Sequence, residues 1–243
     1  MAFLSQRFEC KYWIPEGQVP SLCALLDAQM IPDAFALKSD DHAYDIHSLY
    51  LDTPGLKLFH AAKQGERNRF KLRLRFYDHA PETVFAEMKS RKGEVIQKKR
   101  SAVPAADVPA LVLGHLPSQY PPAEYDALLS FSRSSALLAA RPLSCVSYRR
   151  QAWQAAEDGS QIRVTLDRAV RSEIRKHFVF TPAGADAVPL FSGYQILELK
   201  YTNRFPGWFH ELVWRFNLLQ CGAAKYAQGI EASPLMGGAV PSR

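Results

Sequence analysis

Residues 69–77 read Arg69-Phe70-Lys71-Leu72-Arg73-Leu74-Arg75-Phe76-Tyr77. Successive side chains of a β-strand point to opposite faces. The alternation therefore places Arg69, Lys71, Arg73 and Arg75 on one face, and Phe70, Leu72, Leu74 and Phe76 on the other. A single charged strand face is ordinarily a solvated one, but the neighbouring segments argue against that here. In 84–91, Glu87, Lys89 and Arg91 alternate with Ala86, Met88 and Ser90; in the next segment Lys98 and Arg100 share a face with Ile96. Solvated strands normally set Lys against Glu, because like charges directly opposite are destabilising. Four consecutive cations flanked by mostly further cations are unfavourable unless an anion offsets them.

The same signature returns far along the chain. Arg7, Glu9 and Lys11 share a face in 7–12. Arg163, Thr165 and Asp167 alternate with Ile162, Val164 and Leu166, and Glu198 and Lys200 alternate with Leu197 and Leu199. Glu-x-Lys thus occurs three times, at Glu9/Lys11, Glu87/Lys89 and Glu198/Lys200, each in a strand-like setting. One such triplet carries almost no information; three on separate strands beside an Arg/Lys ladder carry more.

Short alternating segments bounded by turn residues predict strands near 4–14, 43–52, 67–78, 83–91, 94–102, 143–155, 160–170 and 194–202, with a further piece near 173–181. Val19, Leu22, Cys23, Leu26 and Met30 fall on one helical face, as do Phe209, Leu212, Val213, Phe216 and Leu219. The second of these helices starts beside Pro206, and its Trp208 and Trp214 are expected to cover core. A third helix is predicted within 123–140, after PSQYPP. About eight strands and a few helices predict an α+β fold, a closed antiparallel eight-stranded β-barrel with helices packed on its outside. Apolar strand faces would lie under the helices and charged faces would line the lumen. Such a lumen is too costly if dry and unpaired, and tolerable if wet, internally paired and filled by a polyanion. Residues 1–230 are expected to form one domain, and 231–243, ending MGGAVPSR, a disordered tail.

Composition is consistent with this. At 47% hydrophobic, the 243 residues can bury one sizeable core. A net charge of +6 suits nucleic acid, an acidic membrane surface or a phosphate compound. No stretch approaches the ~20 apolar residues that span a bilayer, and MAFLSQRFECKYWI lacks the pattern of a signal peptide. Cys10, Cys23, Cys145 and Cys221 have no metal-binding spacing and read as reduced thiols of a cytoplasmic protein. His42 and His47 read as surface or hydrogen-bonded histidines, and Asp52 as a cap for the helix that follows it. Asp167 shares parity with Arg163, which suits an ion pair at least as well as a metal.

The motifs RFECKYWI (7–14), SLYLDTP (48–54), KLRLRFY (71–77), VFAEMKSRKGEVIQKKR (84–100), SYRRQAW (147–153), RVTLDR (163–168), ILELKY (196–201) and KYAQGI (225–230) run in order over nearly the whole chain. In these the chain resembles the VTC domain, the polyphosphate-polymerase module of the vacuolar transporter chaperone complex, within the triphosphate tunnel metalloenzyme (CYTH-like) superfamily. The resemblance implies an eight-stranded tunnel whose basic residues bind nucleotide or polyphosphate phosphates and whose acidic residues hold Mg²⁺ or Mn²⁺. Carried over by position, the phosphate-binding and catalytic set is Lys11, Arg73, Arg75, Lys89, Lys98, Arg150, Arg163 and Lys225, with Arg100 and Lys200 as further phosphate contacts. Glu198 is the first metal candidate, with Glu9 and Glu87 behind it. Arg7 stands where many tunnel enzymes carry another glutamate, which argues against a second metal.

The implied reaction is metal-dependent phosphoryl transfer, with polyphosphate synthesis from ATP favoured by the VTC-type motifs and triphosphatase activity as the alternative. A non-catalytic polyphosphate- or nucleotide-binding module would need the cations but not Glu198. A membrane-bound partner is compatible with the resemblance, since fungal relatives work within a membrane complex. Nucleic acid is disfavoured, because Phe70 and Phe76 alternate onto the face opposite the cations, where they would pack as core.

Overall fold

The computed structural model describes residues 7–116, 120–157 and 160–237. In chain order it forms β1 (Arg7–Pro15), α1 (Val19–Gln29), β2 (Ile31–Pro32), β3 (Ala43–Asp52), α2 (Lys57–Lys63), β4 (Asn68–Phe76), β5 (Thr83–Lys92), β6 (Val95–Pro104), α3 (Val108–Val112), α4 (Pro122–Leu137), β7 (Arg141–Glu157), β8 (Ser160–Ile174), β9 (Val188–Pro189), β10 (Tyr194–Thr202), α5 (Gly207–Arg215) and α6 (Lys225–Glu231). The hydrogen-bonded order is β1-β10-β8-β7-β3-β4-β5-β6, with β2 added to β7 and β9 to β8. The fold is α+β on an antiparallel sheet.

The closed ring expected from the sequence is not completed among the described residues, where β1 and β6 end the path. The outer edge of β1 is occupied by the segment after α5. Tyr12 bridges Gln220, and the Cys221 amide donates to the Lys11 carbonyl at 2.8 Å. The predicted strand at 173–181 is also absent beyond Ile174, where β8 ends. Arg175 donates instead to the carbonyls of Val179, Thr181 and Pro182, at 2.9, 2.6 and 3.1 Å, so a side chain takes acceptors that a ladder would have used. In the expected tail, Glu231 closes α6 and Pro234–Met236 form a 3₁₀ turn, while 238–243 lie outside the described residues. Among the described residues no helix is long and apolar enough to cross a membrane.

Two compact units divide the chain. The first comprises Met1–Asp45, Tyr148–Val170 and Phe191–Ala224. Its core sets Ile14 of β1, Val164 of β8 and Leu197 and Leu199 of β10 against Leu22 and Leu26 of α1 and Phe209 and Leu212 of α5. Trp208 packs at the edge of this core, as expected of a covering helix. Trp214 does not: it is 86% exposed, because it lies on the face of α5 turned away from Phe209 and Leu212.

The second unit comprises Ile46–Ser147, Arg171–Leu190 and Lys225–Arg243. Leu72, Leu74 and Phe76 of β4, Val84 and Ala86 of β5 and Val103 of β6 pack with Val108 and Leu111 of α3 and Leu128 and Phe131 of α4. The apolar parity read from 69–77 is thus the buried one. Asp52 ends β3 and caps α2, accepting from the amides of Leu58 at 2.9 Å and Phe59 at 2.8 Å. Between β5 and β6, Lys92 pairs with Val95, leaving a two-residue turn at Gly93-Glu94. Gly93 takes φ +59, a conformation that favours glycine. That turn fixes the register of the hairpin, and the register decides which charges of β5 and β6 stand opposite one another.

Replacing Leu74, which is fully buried, by alanine is expected to lower unfolding free energy by about 2–5 kcal/mol. Urea denaturation of wild type and Leu74→Ala measures it, and a loss below about 1 kcal/mol would show that this face is not core.

Candidate functional site

In the second unit the charged face of the sheet is a set of cross-strand rows. Lys71 of β4 stands opposite Lys89 of β5, which stands opposite Lys98 of β6. The adjacent row runs Tyr50 of β3, Arg73, Glu87 and Arg100. A third pairs Arg69 with Arg91. A row of three lysines on adjacent strands places like charges directly opposite twice, an arrangement that costs stability at each rung.

Glu87 is the carboxylate that these cations share. It is 1% exposed. Arg73 grips one of its oxygens through Nε at 2.7 Å and Nη2 at 2.6 Å. Its other oxygen lies 3.1 Å from Lys98 Nζ, 3.5 Å from Arg100 Nε and 3.9 Å from Arg75 Nη1. Burial alone would raise the Glu87 pKa, but Arg73, Arg75 and Lys98 outweigh it and hold the carboxyl at about 2. Burial pushes the Lys98 ammonium down to about 8, with Glu87 opposing and Arg73 reinforcing. Among the described residues, Arg73, Arg75, Lys98 and Arg100 thus surround this one carboxylate. The Arg100 guanidinium also lies 3.8 Å over the Phe85 ring. Lys225 is the first residue of α6 in the same unit.

The first unit carries a second cluster with more carboxylate. Lys11 stands opposite Glu198, and Glu9 opposite Lys200, across β1 and β10; Lys200 stands opposite Arg163 on β8. Lys11 Nζ lies 3.0 Å from Glu9 and Lys200 Nζ 2.8 Å from Glu198. Arg150 clasps Asp167 through Nε at 2.6 Å and Nη2 at 2.8 Å, and its Nη2 is 3.8 Å from Glu198. Burial would raise the Glu198 pKa; Lys200, Lys11 and Arg150 together hold it well below the usual carboxylate range. Burial lowers the Lys200 ammonium against the pull of Glu198 and Glu9.

The sequence-derived set is therefore distributed over both units. Lys11, Arg150, Lys200, Glu9 and Glu198 form one cluster, and Arg73, Arg75, Lys98, Arg100 and Glu87 the other, with Lys89 in its adjoining row. Arg163 follows a different partner: its Nη2 lies 2.5 Å from the buried Asp33. Asp167 forms an ion pair with Arg150, one of the two readings its parity left open. Arg149, half-buried and engaged by Asp41 and Asp45, stands apart from Arg150. Two residues of the clusters were missed. Lys71 was on the charged face yet outside the proposed set, and Tyr50, in SLYLDTP, reads as one more apolar strand residue. Only the register reveals their cross-strand partners, Lys89 for Lys71 and Arg73 for Tyr50.

The metal expected at Glu198 finds a partial set of ligands. Among the described residues no group of three or more His, Cys, Asp or Glu side chains converges. Glu198 and Glu9 belong to the same cluster, whereas Glu87 belongs to the other unit and is enclosed by cations. Mg²⁺ is commonly held by one or two carboxylates plus substrate phosphates. This donor set fits that mode and does not fit a site made of protein ligands alone.

The VTC domain family model matches residues 6–233. The chain belongs to the VTC domain family. No curated protein sequence matches it. Among solved structures, a candidate adenylate cyclase from Bacillus halodurans is 14% identical with a TM-score of 0.49, over 88% of this chain and 91% of that one. A candidate adenylyl cyclase from Hippeastrum, described as having a dominant triphosphatase activity, is also 14% identical with a TM-score of 0.49, over 97% of this chain and 98% of that one. At those values neither carries an argument about this VTC domain protein.

Because the Glu87 pKa is depressed, its contribution to stability is full above the unfolded-state value near 4.3 and disappears as pH falls through about 2. In urea titrations from pH 6 to pH 2, wild type is expected to lose on the order of 3 kcal/mol through this group. Glu87→Gln should start less stable at pH 6 and converge on wild type at low pH. A gap between the two that stays constant with pH would contradict the assignment.

Proposed function

We propose that this VTC domain protein catalyses metal-dependent phosphoryl transfer on a triphosphate or polyphosphate, and that its reaction is polyphosphate synthesis from ATP. The observation that supports the reading is the second unit's charge pattern: a Lys71-Lys89-Lys98 row whose Lys98 joins Arg73, Arg75 and Arg100 around one buried carboxylate. Such a surface lowers its own free energy by binding a polyanion, and a chain of phosphates presents negative oxygens at every unit. Arginine forks match phosphate oxygens bidentately, and lysines supply point charges. In this reading Arg73, Arg75, Lys89, Lys98 and Arg100 are the phosphate ligands of the second unit's cluster, and Lys11, Arg150 and Lys200 are taken, each within its own unit, as phosphate ligands of the first. Arg163 is a further phosphate ligand of the first unit and Lys225 of the second. Family membership supports the polymerase form of the reaction, as do the motifs through which the chain resembles that module.

Glu87 acts as an internal counter-ion. It keeps Arg73 and Lys98 in place when no phosphate is bound, and its depressed pKa means it does so as an anion at neutral pH. Glu198, with Glu9 beside it, would hold Mg²⁺ or Mn²⁺, which would neutralise phosphate charge and orient the scissile bond. Phosphoryl transfer asks the protein chiefly for positioning and for stabilisation of charge on the transferred group, which fixed guanidinium and ammonium groups provide. Lys11, Lys200 and Arg150 hold the Glu198 carboxylate ionised, the form a metal requires.

Incubation of the protein with ATP and Mn²⁺ or Mg²⁺, followed by separation of products, is expected to give a ladder of phosphate chains with ADP. Glu198→Gln should abolish it while tripolyphosphate binding persists, and Arg73→Lys should reduce the rate by roughly 10²–10³. ADP with free phosphate and no ladder would replace polymerase by triphosphatase. Binding without any turnover would leave a polyphosphate-binding module.

A further inference from the structure

Tyr50 is the residue of the Tyr50-Arg73-Glu87-Arg100 row that no charge argument anticipates. It is 7% exposed. Its ring stacks on that of Tyr226 in α6, with centroids 4.8 Å apart and planes inclined by 20°. Tyr226 is in turn anchored, since its hydroxyl donates to Asp52 Oδ2 at 2.5 Å, the same oxygen that accepts from the Phe59 amide at 2.8 Å. The ring of Tyr50 is thus held in place by packing that does not involve its hydroxyl.

The hydroxyl itself accepts from Arg73 Nη1 at 3.4 Å. The largest charges acting on it are those of Arg73, Lys71 and Arg75. Guanidinium and ammonium groups are donors without an acceptor. A phenol among them can accept from one of these cations, but they offer nothing to receive its own proton. Burial would raise the Tyr50 pKa, and these cations more than cancel that, which strengthens the hydroxyl as a donor. A buried donor left without an acceptor carries a desolvation cost, and an oxyanion seated on the same cations removes it.

Resting on the phosphate-binding reading above, we propose that the Tyr50 hydroxyl is a phosphate ligand of the second unit's cluster, a neutral donor that hydrogen-bonds a phosphate oxygen held by Arg73. A neutral donor at the end of a cationic row adds directionality that ammonium groups lack. It would favour a terminal or bridging phosphate oriented along the row over a diffuse cloud of anions.

Tripolyphosphate binding by calorimetry, with the melting temperature of the anion-free protein, tests this in wild type, Tyr50→Phe and Tyr226→Phe. Tyr50→Phe removes only the hydroxyl and keeps the stacked ring. The expected result is an anion-free melting temperature equal to wild type and a Kd raised about tenfold, the effect of one hydrogen bond to a charged group. Tyr226→Phe breaks the Asp52 bond and is expected to lower the melting temperature with a smaller change in Kd. An unchanged Kd in Tyr50→Phe would overturn the inference alone. So would a loss of affinity that tracks a loss of melting temperature equally in both variants, since that is a packing effect. Wild type that fails to bind tripolyphosphate would overturn the phosphate-binding reading and this inference with it.

Discussion

Like charges placed face to face on neighbouring strands are the constraint around which the second unit is organised. The Gly93-Glu94 turn sets the register that puts Lys89 opposite Lys98, and the β4–β5 register puts Lys71 opposite Lys89. The apolar face fixes the parity: Leu72, Leu74 and Phe76 are buried, so the cations cannot turn away from one another by slipping one residue without exposing that core. Hydrophobic burial therefore holds together a surface that electrostatics alone would disperse. One buried carboxylate, Glu87, offsets part of the repulsion.

The first unit solves a related problem with more internal pairing. Lys11, Lys200 and Arg150 meet Glu9, Glu198 and Asp167 in near balance. That balance keeps Glu198 ionised while buried, at the cost of desolvating several charges at once. The two clusters thus differ in kind among the described residues: in one, four cations surround a single carboxylate, and in the other three cations meet three carboxylates.

Much of this was legible in the sequence because it depends on period two. The strands at 43–52, 160–170 and 194–202, and the buried faces of α1 and α5, follow from alternation and helical spacing, and the ladder Arg69 to Arg75 announced the charged face. What failed did so for local reasons. The segments forming α2, α3 and α6 are seven, five and seven residues long, too short to show a helical period. The strand expected near 173–181 yields to Arg175, whose side chain satisfies the loop carbonyls. The ring expected of the sheet stops where Gln220 and Cys221 pair with β1. Partner choice was the least legible feature. Parity puts Arg163 on the charged face, but nothing in RVTLDR indicates that its guanidinium goes to Asp33, some 130 residues earlier.

The central claim is that the cationic rows are stabilised by a phosphate polyanion and not by diffuse salt. Melting temperature measured against tripolyphosphate concentration, at constant ionic strength set with chloride, tests it most directly. The account predicts a rise that continues logarithmically with concentration above the dissociation constant, with chloride alone giving none. A melting temperature indifferent to tripolyphosphate, or raised equally by chloride at the same ionic strength, would contradict it.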